Sequence, residues 1–475
     1  TSGTYTYDPV DHHGPSLYYL SLPIAWLTSG RDFAQTSEVT YRLLLVLFSV
    51  GTILLFGLLY DGLGWAATLV AALFAAVSPV MFYYSRFFIQ ETLFVFSIVG
   101  VMACCWRWTV SRHGVWAVLA GVCLGLMHAT KETCVIAVAS MGVAWIAARP
   151  HVDGSVRPMK LRHGVLLIAA ALIVSVTLYS SFFTNWKGVL LSITPYQAYA
   201  HKAYAPELHA YGPLYYLRML SWAREGGALV WSEAMLLTLG LVGAVAAFLC
   251  GTLKPRGSVR LIRFLAVYTL VSTAVYSGIS YKTPWNILPF MIGVILLAGA
   301  GAVWVWDRCP RIWLKGLLAL LLIGGSVHLG RQCYLGNFRY HSDPRNPYAY
   351  VQTSTDFLRL VARIDQVSAL DAAGPDPMIC VLSGPYDAWP LPWYLRRYKQ
   401  TGYWTETSAL PLSPKPPLIV ASTDKFDALS EILEPDYISE YYGLRQNAMM
   451  VLNIRKDLWK AFMETRKTAA PASSY

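Results

Sequence analysis

Charged residues are scarce in this chain: only 14% of its 475 residues are Asp, Glu, Lys or Arg, whereas 55% are hydrophobic. The mean hydropathy is accordingly positive, at +0.43. A soluble domain cannot usually hide that much apolar surface from water. The composition therefore predicts a polytopic membrane protein.

Motifs for nucleotides and structural metals are also missing. The sequence contains no GxxxxGK[ST] or GxGxxG loop, which argues against ATP hydrolysis and nucleotide-cofactor chemistry. It has no CxxC pair, and most of its cysteines lie in apolar runs, where disulfides are not expected. Asp11, His12 and His13 are a weak metal signal, and loop-structuring hydrogen bonds are the default interpretation. No metal ligands or certain cofactor are assigned, and only a divalent cation is left open.

The net charge of +11 invites a nucleic-acid hypothesis, but the basic residues cluster beside apolar runs, as topology signals do. No nucleic-acid partner is therefore expected. About twenty apolar residues cross a bilayer as a helix. Ten such spans are predicted, near residues 40–60, 64–81, 92–110, 115–130, 133–148, 163–184, 235–253, 261–280, 285–306 and 312–330.

Sidedness follows from the loops between these spans, because cytoplasmic loops carry an excess of Lys and Arg. Alternate loops hold most of the basic residues, and these loops are predicted to be cytoplasmic: Arg107 and Arg112; Arg149, Arg157, Lys160 and Arg162; Lys254, Arg256, Arg260 and Arg263; Arg308, Arg311 and Lys315. The opposite loops hold isolated cations in aromatic surroundings, namely Arg86, Lys131 and Lys282. We therefore expect these three cations on the same, outer face of an integral plasma (inner) membrane protein.

Each of the three charged outer loops allows two interpretations. Arg86 and Glu91 are either an interfacial arginine beside an unrelated glutamate, or a phosphate contact and a carboxylate that acts on substrate. Lys131 and Glu132 are either an ion pair that caps helix ends or part of the same site. Lys282 is either a headgroup anchor beside Trp285 or a point charge for a phosphate. Taken together on one face, these residues suggest a site for a phosphorylated, lipid-linked substrate.

The composition changes to mixed polar and apolar after about residue 335. Helical periodicity covers residues 355–367, and short buried strands are predicted at 378–382, 418–421 and 449–454. We predict three parts: a transmembrane domain over residues 1–334, an extracytoplasmic α/β domain over 335–466, and a disordered tail over 467–475.

Several motifs belong together: Tyr7-Asp8-Pro9, His13-Gly14-Pro15, Tyr18-Tyr19, Tyr83-Tyr84-Ser85-Arg86-Phe87 with Glu91, Lys131-Glu132, Lys282-Thr283-Pro284-Trp285-Asn286, and the segment at 389–396. In combination they resemble the GT-C membrane glycosyltransferases, in particular the flippase-activity-associated family. That family is similar to the protein O-mannosyltransferases and the lipid A aminoarabinose transferases. The resemblance implies a mainly α, polytopic transmembrane helical bundle of GT-C type with a small extracytoplasmic α/β domain at the C-terminus.

The resemblance also implies roles for individual residues. Glu91 would be a catalytic carboxylate, Arg86, Lys131 and Lys282 would contact the donor phosphate, and Asp8, Asp11, His13, Tyr84 and Trp285 would form the substrate loops. Members of the family carry an Asp-Glu pair after a first membrane span, upstream of the Tyr-Asp-Pro stretch. We therefore expect a missing amino-terminal span and a principal base that precede Thr1.

The expected activity is inverting transfer of a hexosyl or pentosyl group from a polyprenyl-phosphate donor on the extracytoplasmic face. The acceptor would be a glycan, lipid or protein of the cell envelope, and the membrane lipid itself is a further partner. The alternative is a non-enzymatic flippase or transporter component for lipid-linked sugars. Against it, the chain shows no duplicated halves, which transporters often have.

Overall fold

The computed structural model describes residues 5–9, 13–30, 32–148, 159–196, 209–224, 229–249, 258–371, 374–384 and 387–469. The chain divides into two compact units, one formed by residues 1–340 with 345–348 and the other by residues 341–344 with 349–475. The change of unit lies a few residues beyond the boundary that composition indicates at 334.

The first unit is helical. Its described helices are α1 Ser16–Ser29, α2 Glu38–Leu55, α3 Tyr60–Leu63, α4 Trp65–Val77, α5 Pro79–Tyr84, α6 Gln90–Ser111, α7 Gly114–His128, α8 Cys134–Ala147, α9 Leu161–Tyr179, α10 Lys187–Leu191, α11 Tyr215–Ser221, α12 Ala234–Leu249, α13 Val259–Gly278, α14 Leu288–Arg308 and α15 Ile312–Tyr334. Short 3-10 turns lie at Phe33–Gln35, Phe56–Leu59 and Pro284–Ile287, and a π turn at Leu335–Arg339.

Six helical stretches of the described chain are long and apolar enough to cross a membrane, and four shorter apolar helices accompany them. Together they account for all ten predicted spans, so the prediction of a multi-pass helical bundle is confirmed. The two short spans expected in the middle of the chain are the short helices α7 and α8.

Helix α14 is the centre of the bundle, since 89% of its most apolar window is buried. Small residues let its neighbours approach closely. A Cβ on Gly301 would lie 2.1 Å from the backbone oxygen of Leu239 in α12, and one on Gly243 would lie 2.2 Å from that of Leu297. In a bilayer no hydrophobic effect drives helices together, so close backbone packing of this kind stabilises the bundle.

Two features of this unit differ from the prediction. Residues 16–29 form α1, although the first predicted span begins only near residue 40. The two faces of α1 differ little in hydropathy, so hydrophobic periodicity indicates this helix only weakly. The second span is broken at Ser78, where α4 ends and α5 begins with Pro79. Proline is favoured in the first turn of a helix, and the Ser78 side chain accepts a hydrogen bond from Met81 N–H.

The second unit is a five-stranded sheet with helices. Its strands are β1 Ile379–Leu382, β2 Thr401–Trp404, β3 Leu418–Ser422, β4 Tyr437–Arg445 and β5 Ala448–Arg455, in the order β2-β1-β3-β5-β4. β1 pairs with β2 and β3 in parallel, and β5 pairs with β3 and β4 antiparallel. The helices are α16 Thr355–Ser368, α17 Leu391–Tyr394, α18 Thr423–Leu433 and α19 Lys456–Ala469, with a 3-10 turn at Thr407–Ala409.

Both faces of this sheet are covered. Val381 and Val420 pack in one apolar cluster with Phe357 of α16, whereas Cys380 and Ile419 pack in another with residues of α18. The small C-terminal α/β domain is thus confirmed. Helix α19 continues to Ala469, so residues 467–469 of the predicted tail are helical, and residues 470–475 lie outside the described part of the chain.

Candidate active site

The predicted site begins with the loop between α7 and α8. Helix α7 ends at His128, and the turn that follows is closed by hydrogen bonds from Lys131 N–H to Met127 O and from Cys134 N–H to Lys131 O. Thr130 Oγ1 donates to Leu126 O at 2.6 Å. The loop therefore has a fixed shape that presents consecutive charged side chains, those of Lys131 and Glu132.

The His13-Gly14-Pro15 motif docks onto this loop. A Cβ on Gly14 would lie 2.1 Å from the backbone oxygen of Ala129, so only glycine allows this approach. Ser16 N–H donates to the same oxygen at 3.1 Å, and its Oγ lies 2.8 Å from Thr130 Oγ1. As a result His13 Nδ1 lies 2.9 and 3.1 Å from the two carboxylate oxygens of Glu132.

A buried ion pair forms the second part of the site. Lys131 Nζ donates to Glu91 Oε1 at the start of α6, and also to Asn286 Oδ1 at 3.2 Å. The exposed fractions of Lys131 and Glu91 are 4% and 2%. Asn286 belongs to the 3-10 turn Pro284–Ile287, four residues after Lys282. Residues from all three charged loops therefore meet at one end of the bundle.

The charged side chains in this cluster shift one another's pKa values. Burial alone would lower the pKa of Lys131, but the negative charges of Glu91 and Glu132 outweigh it and raise the pKa. Burial would likewise raise the pKa of Glu132, yet the hydrogen bond and charge of His13, with Lys131, lower it. Lys131 and Glu132 are therefore both ionised at neutral pH.

A cavity of about 660 Å³ opens beside this cluster. One part of its wall is polar, with Lys131, Glu132, His13 and Asn286, and Trp285 lies at the same end. The rest of the described wall includes apolar residues of α8 and the end of α13, namely Val135, Ile136, Ala274, Val275 and Ile279, together with hydroxyl-bearing residues such as Tyr276 and Ser280. The cavity wall thus combines charged groups with apolar surface.

The structure does not bring the other two predicted cations to this cavity. Arg86 donates to Asn337 O at 2.9 Å and stacks on Phe338, with 5.3 Å between the guanidinium carbon and the ring centroid. Lys282 is 1% exposed and donates to Ile279 O just beyond α13, and burial lowers its pKa. Neither side chain is in the described lining of the cavity. Their proposed phosphate contacts stay predictions.

The predicted substrate-loop residues are dispersed. Trp285 lines the cavity. Tyr84 is fully buried, and its ring centroid lies 6.4 Å from that of Trp285. Asp8 is exposed, next to Tyr7, which packs on Tyr179. Asp11, like His12, lies outside the described residues. Within the described part of the chain no group of three His, Cys, Asp or Glu side chains is arranged to hold a metal ion.

One buried acid was missed by the sequence reasoning. Glu233, immediately before α12, accepts hydrogen bonds from Ser78 Oγ, from Val80 N–H at 2.9 Å and from Tyr348 O–H at 2.9 Å. Tyr348 O in turn accepts a hydrogen bond from Tyr84 O–H at 2.7 Å. Burial raises the pKa of Glu233 to about 7 despite these donors. A lone acid at the end of an apolar run is the signal that could have found it.

Part of the chain matches a known protein family. Residues 16–186 match the model of the dolichyl-phosphate-mannose-protein mannosyltransferase family, which confirms the predicted resemblance to the protein O-mannosyltransferases over that region. No curated protein sequence matches the chain. ArnT from Cupriavidus metallidurans, solved with undecaprenyl phosphate bound, superimposes with a TM-score of 0.60 at 14% sequence identity, over 93% of this chain and 88% of that one.

The chain has a GT-C fold. ArnT in its apo state gives the same result, with a TM-score of 0.58 at 14% identity, over 94% of this chain and 88% of that one. AglB from Archaeoglobus fulgidus, in complex with an inhibitory peptide and a dolichol-phosphate, has a TM-score of 0.49 at 12% identity, over 97% of this chain and 70% of that one. The GT-C architecture expected from the sequence motifs is confirmed.

Proposed function

We propose that this GT-C chain is an integral-membrane glycosyltransferase that takes its sugar from a polyprenyl-phosphate donor. The observation that supports the proposal is the cavity beside Lys131, whose wall combines charged groups with apolar surface. A prenyl phosphate sugar is an amphiphile with a charged linkage and an apolar chain, and it matches both parts of this wall. The family match at residues 16–186 and the undecaprenyl phosphate held by ArnT support the same donor class.

Within this proposal Lys131 contacts the donor phosphate. The Glu91 carboxylate keeps the ammonium group charged and fixed beside the cavity, which is the kind of pre-placed cation that stabilises a leaving phosphate. The apolar wall between α8 and α13 takes the first part of the prenyl chain.

The two carboxylates have different surroundings. Glu91 lies behind Lys131 and is absent from the described lining of the cavity, whereas Glu132 is part of that lining. We therefore assign Glu91 to positioning Lys131, and Glu132 with His13 to orienting the acceptor hydroxyl or receiving its proton. Direct attack of that hydroxyl on the anomeric carbon would invert the configuration, as expected from the family resemblance.

Donor binding is tested first, with undecaprenyl phosphate and the purified full chain. Replacing both members of the buried pair, Glu91→Gln with Lys131→Met, removes the cation without leaving an uncompensated buried charge. We expect at least tenfold weaker binding, and no change for Lys187→Ala, because Lys187 is an exposed cation on another helix. Equal affinity in the wild type and the double variant would refute the phosphate contact.

Glycosyl transfer is tested separately, in vesicles that contain labelled dolichyl-phosphate mannose and a cell extract that supplies the acceptor. Wild-type protein should release free dolichyl phosphate, and Glu132→Gln should reduce that release at least tenfold while binding is retained. Movement of intact donor between leaflets without release would support the flippase alternative instead. If the Glu132→Gln variant released as much dolichyl phosphate as the wild type, the role assigned to Glu132 would be refuted, but the proposed class of donor would not be affected.

A further inference from the structure

A second cavity extends towards the opposite end of the helices that build the site. Helix α6 begins at Gln90, next to Glu91, helix α8 begins at Cys134, just after the Lys131 loop, and α13 ends at Gly278. The second cavity, of about 320 Å³, is lined by residues near their other ends, including Trp106, Trp145 and Arg260. The two cavities share no lining residue, although they approach each other along α8, where Ile136 lines the first and Val138 lines the second.

The wall of this second cavity is almost wholly apolar. Met102, Cys105, Leu124, Met141 and Phe264 contribute to it, and Arg260 is the one charged residue in its described lining. Trp106 Nε1 donates to Asp61 Oδ1 at 2.8 Å, which fixes the orientation of its indole ring. An occupant of this space therefore needs an apolar body and an anionic group at one end.

Arg260 is suited to such a group. Its guanidinium carbon lies over the Trp145 ring, 4.6 Å from the ring centroid, which is within cation–π distance. A stacked guanidinium still donates hydrogen bonds in its own plane, where a phosphate accepts them in pairs. Tryptophan rings at helix ends are typical of the depth at which lipid headgroups lie.

Two neighbouring cations of the described chain lie outside the lining of this cavity. Arg107 pairs with Asp61, and Arg263 is buried and donates to the backbone oxygen of Ala247. We propose that the second cavity binds one acyl chain of an anionic phospholipid, whose headgroup phosphate is held by Arg260. This lipid site shares no lining residue with the proposed donor site, and it does not depend on the proposed activity.

The chain offers a direct way to fill the cavity. Gly142 lines it, and a Cβ at this position meets no atom within 4 Å. Gly142→Leu should therefore occupy the space without disturbing packing. Gly324 is the matched control, because it is also a helical glycine with open space around it but lies in α15, away from this lining.

The experiment measures lipid retention by native mass spectrometry of the delipidated full chain, offered equal amounts of phosphatidylglycerol and phosphatidylcholine with identical acyl chains. Wild-type protein should retain phosphatidylglycerol in preference. Arg260→Gln should weaken that retention about fivefold, because this is the usual contribution of one basic side chain to the binding of anionic lipid near a membrane surface. Gly142→Leu should reduce retention of both lipids.

Two control variants separate a specific site from the general lipid shell. Arg311→Gln removes an exposed cation at the start of α15, and it should leave retention unchanged, as should Gly324→Leu. If either control weakens binding as much as its partner, the lipid is held by the surface in general and the proposal is wrong. Equal retention of the two headgroups by the wild type would also overturn it.

A labelling experiment covers the case in which a variant fails to fold. Phosphatidylglycerol that carries a photoactivatable group on its acyl chain is bound to wild-type protein and cross-linked. Label on residues 101–109 or 138–145 supports the site, and label confined to α15 refutes it. Displacement of the probe by an equal concentration of oleic acid would show that the phosphate is unnecessary, and would overturn the phospholipid assignment.

Discussion

Glu91 and Glu233 are both buried carboxylates at the ends of membrane helices, yet they are stabilised by opposite means. Glu91 is paired with the ammonium group of Lys131. Glu233 is 0% exposed and, among the described residues, forms no ion pair; instead it receives three hydrogen bonds. The ion pair keeps charge beside a cavity, whereas the hydrogen-bonded acid joins α5, α12 and the segment at 345–348 and does not need its charge.

The largest expected effect comes from breaking the ion pair on one side. Lys131→Met leaves Glu91 buried without its cation, which typically costs about 3–5 kcal/mol. We expect a loss of this size in the free energy of unfolding, measured in mild detergent. Glu91→Leu combined with Lys131→Met should recover most of the stability, since neither charge remains. A single variant as stable as the double variant would show that the pair is solvated.

The next effect concerns pH and separates Glu233 from the ion pair. Its pKa is raised from 4.5 to about 7, so its contribution to stability is fully present below pH 4.5 and is lost as the pH rises through 7. The shift corresponds to about 3 kcal/mol. Glu233→Gln keeps an acceptor for Val80 and Tyr348 and cannot ionise. The stability difference between wild type and this variant should therefore change by about 3 kcal/mol between pH 5 and pH 8.5.

The wild type should be the one that loses stability across this interval. Lys131 does not interfere, because its raised pKa lies well above the interval. Parallel stability curves for wild type and Glu233→Gln would mean that Glu233 titrates as an ordinary carboxyl group.

The smallest effect is expected at the partly exposed ion pair. The His13 side chain is 33% exposed, so its contact with Glu132 should contribute only about 0.2–1 kcal/mol. A double-mutant cycle of His13→Gln and Glu132→Gln, measured by thermal unfolding, gives this coupling energy. Added salt should reduce it, in contrast to the buried pair. A coupling above 2 kcal/mol would place His13 in the same class as Lys131.

The sequence predicted the bundle well because hydropathy and loop charge depend on local composition. All ten spans correspond to helices, and the Lys131-Glu132 loop lies between two short apolar runs, as its break in hydropathy indicates. In the C-terminal domain the three buried strands were predicted, whereas β2 and the half-exposed β4 were missed because alternation there is weak.

The directions of side chains could not be predicted in the same way. Arg86, Lys131 and Lys282 all follow or precede apolar runs, but only Lys131 faces the cavity. Arg86 instead contacts Asn337 and Phe338, about 250 residues later in the chain. Contacts of such long range depend on helix packing, which no local pattern records. The same reason hides the hydrogen bond between Tyr348 and Glu233.

The contact between Gly14 and Ala129 also determines an order of events during biosynthesis. His13 and Glu132 are 119 residues apart in the chain, and translation covers that distance in roughly 6–24 s at the usual 5–20 residues per second. During that interval the glycine segment has no surface on which to dock. The polar wall of the cavity is therefore completed only after the ribosome has supplied α7 and the loop that follows it.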